Sequence, residues 1–421
     1  METINKTLWL LATTLILINS IYFSLVLKFP QLKLINVFKS LKKGQKKEII
    51  TPLDTLIMTL SSKIGVGSLA GVALCICYGG LGTIMWIWIS TLFLSIITYI
   101  ENNLAIIYKE KDKDINKSGP AYYIKKGLNK NKLSLIYAIL IIITYSFLFP
   151  SIQNNTIITL TNEVYEIDII LTSLLITILS SVIIFKGIKQ VSKICNKIFP
   201  FMMILFLITG ILIMIMNINE LPGLLKTIIR EGISYKSING GIIYTIITAL
   251  QRTIFANESG VGTSSMLSGL TDNNDYKLQG NIGIVQTYFI NMIVLTTTAI
   301  IIGLSNYQDI NIINGIELTK YAYSYHLGHF GEIILLIILF LFSFSSIITI
   351  YYFGENSLKS ITTNKKIINL LKIATILSIF IGGIIKAKII WNLIDIFLAL
   401  LTIINMYAIY KLKDKIIKKM L

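Results

Sequence analysis

The sequence predicts an all-α membrane protein of about eleven transmembrane helices, and three observations predict it. Of 421 residues, 54% are hydrophobic and 14% charged, with a mean hydropathy of +0.74, more apolar surface than a water-facing core could enclose. Runs of ~20 apolar residues recur along the chain, the length a helix needs to cross ~30 Å of hydrocarbon. The runs are apolar on every side, as in LLITILSSVIIF at 174–185 and FPFMMILFLITGILIMIM at 199–216. A membrane barrel would instead alternate polarity within strands of about ten residues, so helices, which satisfy their own backbone groups, are the remaining way to span lipid.

Eleven spans follow in order: 7–27, 52–78, 82–108, 133–160, 167–185, 197–216, 237–270, 278–303, 332–353, 367–385 and 390–410. The first is not read as a cleavable signal, because its apolar stretch is long and no small-x-small site follows. Between the first two spans lie Lys28, Lys33, Lys39, Lys42, Lys43, Lys46 and Lys47, and lysines are again dense at 109–132, 186–197, 359–372 and from Lys411 onward. These are every second connection, so the positive-inside rule makes them cytoplasmic and puts the amino terminus outside and the carboxyl terminus inside a cell membrane. The acidic connection 163–168 and the nearly balanced loop 217–236 then lie outside; the weakly acidic connection 272–277 breaks the pattern.

The formal net charge of +17 is explained by these loops rather than by a basic stripe, and no nucleic-acid partner is expected. Cys75, Cys77 and Cys195 lie in or beside helices and read as small buried residues, with no paired framework. No nucleophile elbow, phosphate-cradling glycine loop or metalloprotease signature is present, which leaves an enzyme without chemistry.

Two spans are interrupted. The second contains SSKIGVGSLAGVA at 61–73, with Gly65, Gly67 and Gly71 clustered where glycine weakens the helical ladder. The seventh contains QRTIFANESGVGTSS at 251–265, where Arg252, Asn257 and Glu258 stand beside Gly260 and Gly262. Glycine alone would suit close helix packing. Ionisable residues at bilayer depth cost at least ~2.5 kcal/mol each and do nothing for packing, which favours a functional site. If the second span opens one set of five helices, the seventh opens the next, and an odd number of spans per set inverts one against the other. Interrupted helices at matching places are the sequence sign of an inverted-repeat transporter, whose unwound carbonyls coordinate a cation and whose half-helix amides hold a carboxylate.

Further stretches carry a family resemblance: GGLGTIMWIWISTLF at 79–93, SGPAYYIKKGL at 118–128, QNN at 153–155, GIKQVSKICNKIFPFM at 187–202, YYFGE at 351–355 and WNLIDIF at 391–397. With GVGSLAGVA at 65–73 and RTIFANESGVG at 252–262, the chain resembles the alanine or glycine:cation symporter family over nearly its whole length. The resemblance implies a leucine-transporter-like 5+5 inverted repeat behind one extra helix, dividing the chain into 1–50, 51–236, 237–411 and a basic tail 412–421. It implies symport of a small neutral amino acid with a monovalent cation, sodium or a proton, and no other cofactor.

Residue by residue, the resemblance places the substrate carboxylate at the amides of Gly65, Val66, Gly67 and Ser68, and an amide side chain at Gln153, with Asn155 nearby. The ammonium and side chain of the substrate fall to Phe255, Ala256, Asn257 and Ser259. Sodium falls to carbonyls of Ile64 and Gly67 facing the hydroxyls of Ser345 and Ser346. The chain departs from the family pattern at Val66 and Ser68 (usually threonine and asparagine), at Ile350 (a pocket-closing tryptophan) and at Asn291 (aspartate). A roomier pocket and one fewer amide oxygen follow. A carrier for a larger substrate, proton coupling through Glu258, and an amino-acid sensor without flux therefore stay open.

Of the intramembrane charges, Lys63, Glu101 and Glu258 are of most interest, and Arg252 is expected to pair with one of these carboxylates. Glu258 is the relay or gating candidate, while Glu101 and Glu355 sit near cytoplasmic helix ends, where a solvated or interfacially paired role is expected. His326, His329 and Glu332 would share one helical face and could hold zinc, although exposed histidines are the commoner outcome. Trp86, Trp88 and Tyr351 fit interfacial belts or helix packing as readily as ligand contact.

Overall fold

The computed structural model describes residues 2–41, 50–111, 115–234, 241–309 and 315–420. Lys42, Lys43, Lys46 and Lys47, part of the 109–132 connection and the start of the seventh span lie outside the described residues. The described residues are nearly all helical; strand pairing among them is one isolated bridge between Glu110 and Lys117.

Nine described helices are long and apolar enough to cross a membrane: Ile4–Val26, Gly82–Tyr108, Asn131–Tyr165, Ile169–Lys186, Ile188–Met216, Tyr276–Gly303, Gly315–Lys359, Lys365–Ile384 and Ala387–Lys411. A tenth is the pair Pro52–Lys63 and Gly67–Gly79, bent by 61° at the expected break. The chain is thus a multi-pass membrane protein. The expected seventh span is divided into Gly241–Asn257 and the short Thr263–Ser268, because the polar stretch between them does not continue the helix.

Short polar signals set the helix starts. Thr51 and Asp54 form a reciprocal capping box ahead of Pro52, and Asp168, Asp275 and Asn364 each accept amides of the following turn. Such caps contribute about 1 kcal/mol each. The fifth and tenth spans turn apolar rows outward: Ile170, Leu171, Leu175, Ile178 and Val182 are more than half exposed, a surface suited to lipid. The third (Gly82–Tyr108) and eighth (Tyr276–Gly303) are mostly buried and pack closely, with Gly280 and Gly283 seated against Tyr99, Thr98, Asn102 and Asn103.

Three connections differ from expectation. The 217–236 loop contains the helix Leu221–Gly232, whose end meets Gly82 and receives the indole N–H of Trp86 at 2.9 Å. The 109–132 connection contains Pro120–Leu128, with Tyr122 and Tyr123 buried. Both helices are shorter than a membrane-length window registers. The ninth span belongs to Gly315–Lys359, divided at Gly328 (φ 61°, ψ −151°). That kink separates His326 from His329, so the two do not share a helical face. His326 meets Asn217 and the Ile301 carbonyl, His329 pairs with Glu332 at 2.9 Å, and no cluster of three or more metal-ligating side chains occurs among the described residues.

Candidate functional site

At the first break, helix Pro52–Lys63 ends at Ile64 (φ −80°, ψ 89°) and the chain resumes as a π-helical turn, Gly67–Gly71. The Val66 amide, released from the ladder, donates to Gln153 Oε1 at 2.9 Å. The other end of the same carboxamide donates to Ser346 Oγ at 3.2 Å, and Ser346 donates to the Ser62 carbonyl at 2.7 Å. Ser345 donates to the Ser61 carbonyl at 3.3 Å. The two serine hydroxyls therefore lie against the last turn before the break, and hydroxyl and carbonyl oxygens are hard donors of the type that suit a small cation.

Glycine permits close approach here. A Cβ on Gly65 would come within 2.7 Å of the Gln153 carboxamide, and one on Gly67 within 2.9 Å of the Phe255 ring and 3.3 Å of the Ala256 Cα. The two breaks are thus in contact. The Ser68 hydroxyl is buried without a hydrogen-bond partner among the described residues.

The second break is built differently. Helix Gly241–Asn257 stops, and Glu258, Gly260 and Gly262 take φ of 53°, 92° and 100° before Thr263–Ser268 begins. Asn257 Oδ1 accepts from the Ser259 amide at 2.9 Å, and its Nδ2 donates to Asn291 Oδ1 at 3.0 Å, while Asn291 Nδ2 donates to the Thr91 hydroxyl at 3.1 Å. Thr98 donates to the Ser259 hydroxyl at 2.7 Å. Glu101 accepts the Gly260 amide at 3.0 Å and the Asn405 amide at 2.8 Å, while Asn405 also donates to the Gly260 carbonyl at 2.9 Å. Glu101 is fully buried rather than solvated at a helix end, because the freed Gly260 amide needs an acceptor in the interior. Glu355, by contrast, pairs with Lys359 one turn on.

Arg252 pairs not with Glu101 or Glu258 but with Asp395 at 2.5 Å, both side chains under a tenth exposed, because the helix Ala387–Lys411 packs beside it. The guanidinium lies 5.8 Å from the Phe255 ring and 5.5 Å from the Trp391 ring, which stack on each other at 4.4 Å. This places a tryptophan beside the break from the helix Ala387–Lys411, while Ile350 is buried in the core that also holds Phe255 and Phe149. A cavity of about 980 Å³ reaches this point, lined by Ala70, Leu74 and Tyr78 after the first break and by Thr248, Gln251 and Arg252 before the second.

The expected residues are therefore partly assembled. Gly65, Val66, Gly67, Gln153, Phe255, Ala256, Ser345 and Ser346 converge directly, with Ile64 and Ser68 on the same break. Asn257, Glu258 and Ser259 form the second break. Asn155 lines the cavity, but its amide donates to the carbonyls of Gly383 and Ile385 at 3.0 and 2.8 Å, so it caps the tenth span rather than pointing with Gln153. Trp88 donates to Thr296 at 2.9 Å and serves packing. Asp395, Trp391 and Asn405 were missed as individual residues. The sequence hint for Asp395 and Trp391 was their place in WNLIDIF, and for Asn405 there was none.

Residues 1–421 all match the sodium:alanine symporter family. The chain belongs to that family. It is 30% identical to the probable sodium/glutamine symporter GlnT of Bacillus subtilis over 414 residues, covering 97% of this chain and 87% of GlnT. It is 30% identical to the amino-acid carrier protein AlsT of the same organism over 397 residues, covering 94% and 85%. The sodium/alanine symporter AgcS of Methanococcus maripaludis is 25% identical over 433 residues, covering 99% of this chain and 95% of AgcS. As a family of symporters, these proteins are transporters rather than enzymes.

Proposed function

We propose that this sodium:alanine symporter family member carries small neutral amino acids such as alanine or glycine into the cell with sodium, by alternating access. The observation that carries the reading is the contact of two interrupted helices beside a one-sided cavity. The cavity follows the break in the second span and precedes the break in the seventh, the antiparallel relation that two inverted five-helix repeats, 51–236 and 237–411, would produce. In the proposed orientation, with the amino terminus outside, the cavity faces the exterior, since Asn5, Lys6 and Trp9 of the first span line it.

The substrate carboxylate is assigned to the amides of 65–68, where Gln153 now holds Val66, and its ammonium to the carbonyls and side chains of Phe255, Ala256, Asn257 and Ser259. Sodium is assigned to Ile64, Gly67, Ser345 and Ser346, a set of neutral oxygens that leaves the ion its full charge. Arg252 and Asp395, with Phe255 and Trp391, form the gate between cavity and site. Relatives named for alanine and for glutamine support a neutral amino acid as the substrate. One positive charge entering down 100 mV supplies ~2.3 kcal/mol. That permits about fiftyfold accumulation before any sodium gradient is added.

Purified protein in vesicles provides the test. Labelled alanine should accumulate under an inward sodium gradient and fail to do so when potassium replaces sodium, with excess glutamine reporting pocket size. Alanine that binds but does not accumulate under any sodium or proton gradient would make the protein a sensor and overturn the reading.

A further inference from the structure

On the side of the breaks away from the cavity, the chain buries an ammonium and two carboxylates that the substrate and sodium sites do not use. Lys63 is the last residue of the helix before the first break, 4% exposed, and its ammonium donates to Ser264 Oγ at 2.5 Å. Ser264 lies in Thr263–Ser268, just after the second break, and also receives Gln286 Nε2 at 2.7 Å. Glu258 and Glu101, 1% and 0% exposed, both feel the attraction of Lys63. Glu258 receives the Thr263 hydroxyl at 2.5 Å, and Glu101 holds the Gly260 amide.

From this arrangement we propose that Lys63, Ser264, Glu258 and Glu101 form a lock that ties the two half-helices together and closes the pathway on the side opposite the cavity. The two halves it joins are those that line none of the cavity; Lys63 and Glu258 sit at the breaks, and Glu101 reaches the second from the helix Gly82–Tyr108. An opening that parted Lys63 from Ser264 would leave a charged group without its partner, so the closed arrangement is favoured until water enters from that side. Lys63 is the counter-charge that both buried carboxylates feel, and its removal leaves them uncompensated in a low-dielectric interior. The proposal rests on the alternating-access reading, but its test reads accessibility and does not require transport.

In a background with Cys75, Cys77 and Cys195 replaced by alanine, Ser268→Cys puts a thiol on the closed side, at a position 1% exposed. Its reaction with a small methanethiosulfonate is measured on purified, folded protein, identified by a single symmetric gel-filtration peak. Lys63→Gln should raise the labelling rate at least ~tenfold, as expected of a two-state equilibrium that loses differential charge contact. Lys63→Arg should keep the rate low, and Lys63→Gln with Glu258→Gln should fall back toward it, because one carboxylate then remains alone. Ser264→Ala, which keeps every charge, should give a smaller rise and serves if Lys63→Gln does not fold. Unchanged labelling in Lys63→Gln, or in Ser264→Ala when the former does not fold, would overturn the lock, as would a double variant more reactive than the single. Failure of alanine uptake with the labelling pattern intact would remove the functional reading and leave the lock standing.

Discussion

The two interrupted helices break for different physical reasons. In the second span, none of the residues at 64–68 adopts positive φ; the helix yields because Gln153 and the Phe255 ring occupy the space that side chains at Gly65 and Gly67 would need. In the seventh, the backbone itself is left-handed at Glu258, Gly260 and Gly262, and a frame of Glu101, Asn405, Asn257 and Thr98 holds the freed groups. The first break is a break of packing, open to relaxation when its neighbours move. The second is a break of conformation, stabilised by hydrogen bonds that an added methyl cannot replace. A break held by packing meeting a break held by conformation at the proposed substrate site is an arrangement suited to alternating access.

The contrast is most severely tested at Gly262. Alanine there should be the most damaging change, since φ of 100° excludes a Cβ and that Cβ would also lie 2.3 Å from Pro120. Left-handed backbone costs an ordinary residue ~1–2 kcal/mol and overpacking ~1–3 kcal/mol more, so folded yield and thermal midpoint should both drop. Wild-type thermal stability in Gly262→Ala would mean that the second break is not conformationally fixed.

Gly67→Ala should cost less, ~1–3 kcal/mol of overpacking against Phe255, and should be relieved by Phe255→Leu in the same chain. The pair is scored by thermal unfolding of single and double variants. Additive losses would show that the ring is not what keeps Gly67 small.

Gln153→Ala should change stability least and ligand affinity most. It frees the Val66 amide while removing a carboxamide that bridges to Ser346. The hydrogen bond that Gln153 is assigned to make to the substrate is worth ~1–3 kcal/mol, so the alanine concentration for half-maximal uptake should rise roughly tenfold or more. An unaltered half-maximal concentration would take Gln153 out of the site.

Much of this was legible along the chain. Gly65, Gly67, Gly260 and Gly262 announced both breaks because glycine and charge within an apolar run are expensive locally, wherever the helix packs. Gln153, Ser345 and Ser346 were reached through family motifs and do converge on the first break. The misread residues are those whose environment is set by distant segments. Glu101 looks interfacial on its own helix but is needed by the Gly260 amide 159 positions away. His326 and His329 obey helical spacing until Gly328 interrupts it. Asn155 follows Gln153 by two positions, which on a helix turns its amide to another neighbour, the end of the tenth span.

By itself the sequence determined the solvent this protein folds in, the places of most of its membrane-length helices, and the two places where the ladder fails. These are properties of local polarity and backbone freedom, and any tertiary arrangement has to accept them. Only the tertiary structure decided which groups answer the failures: Asp395 for Arg252, Asn405 for Gly260, Trp391 beside Phe255, and Ser264 for Lys63. In a low-dielectric interior every exposed amide, carbonyl or charge must find a partner, and which partner is within reach depends on the packing of helices that the order of residues does not encode locally.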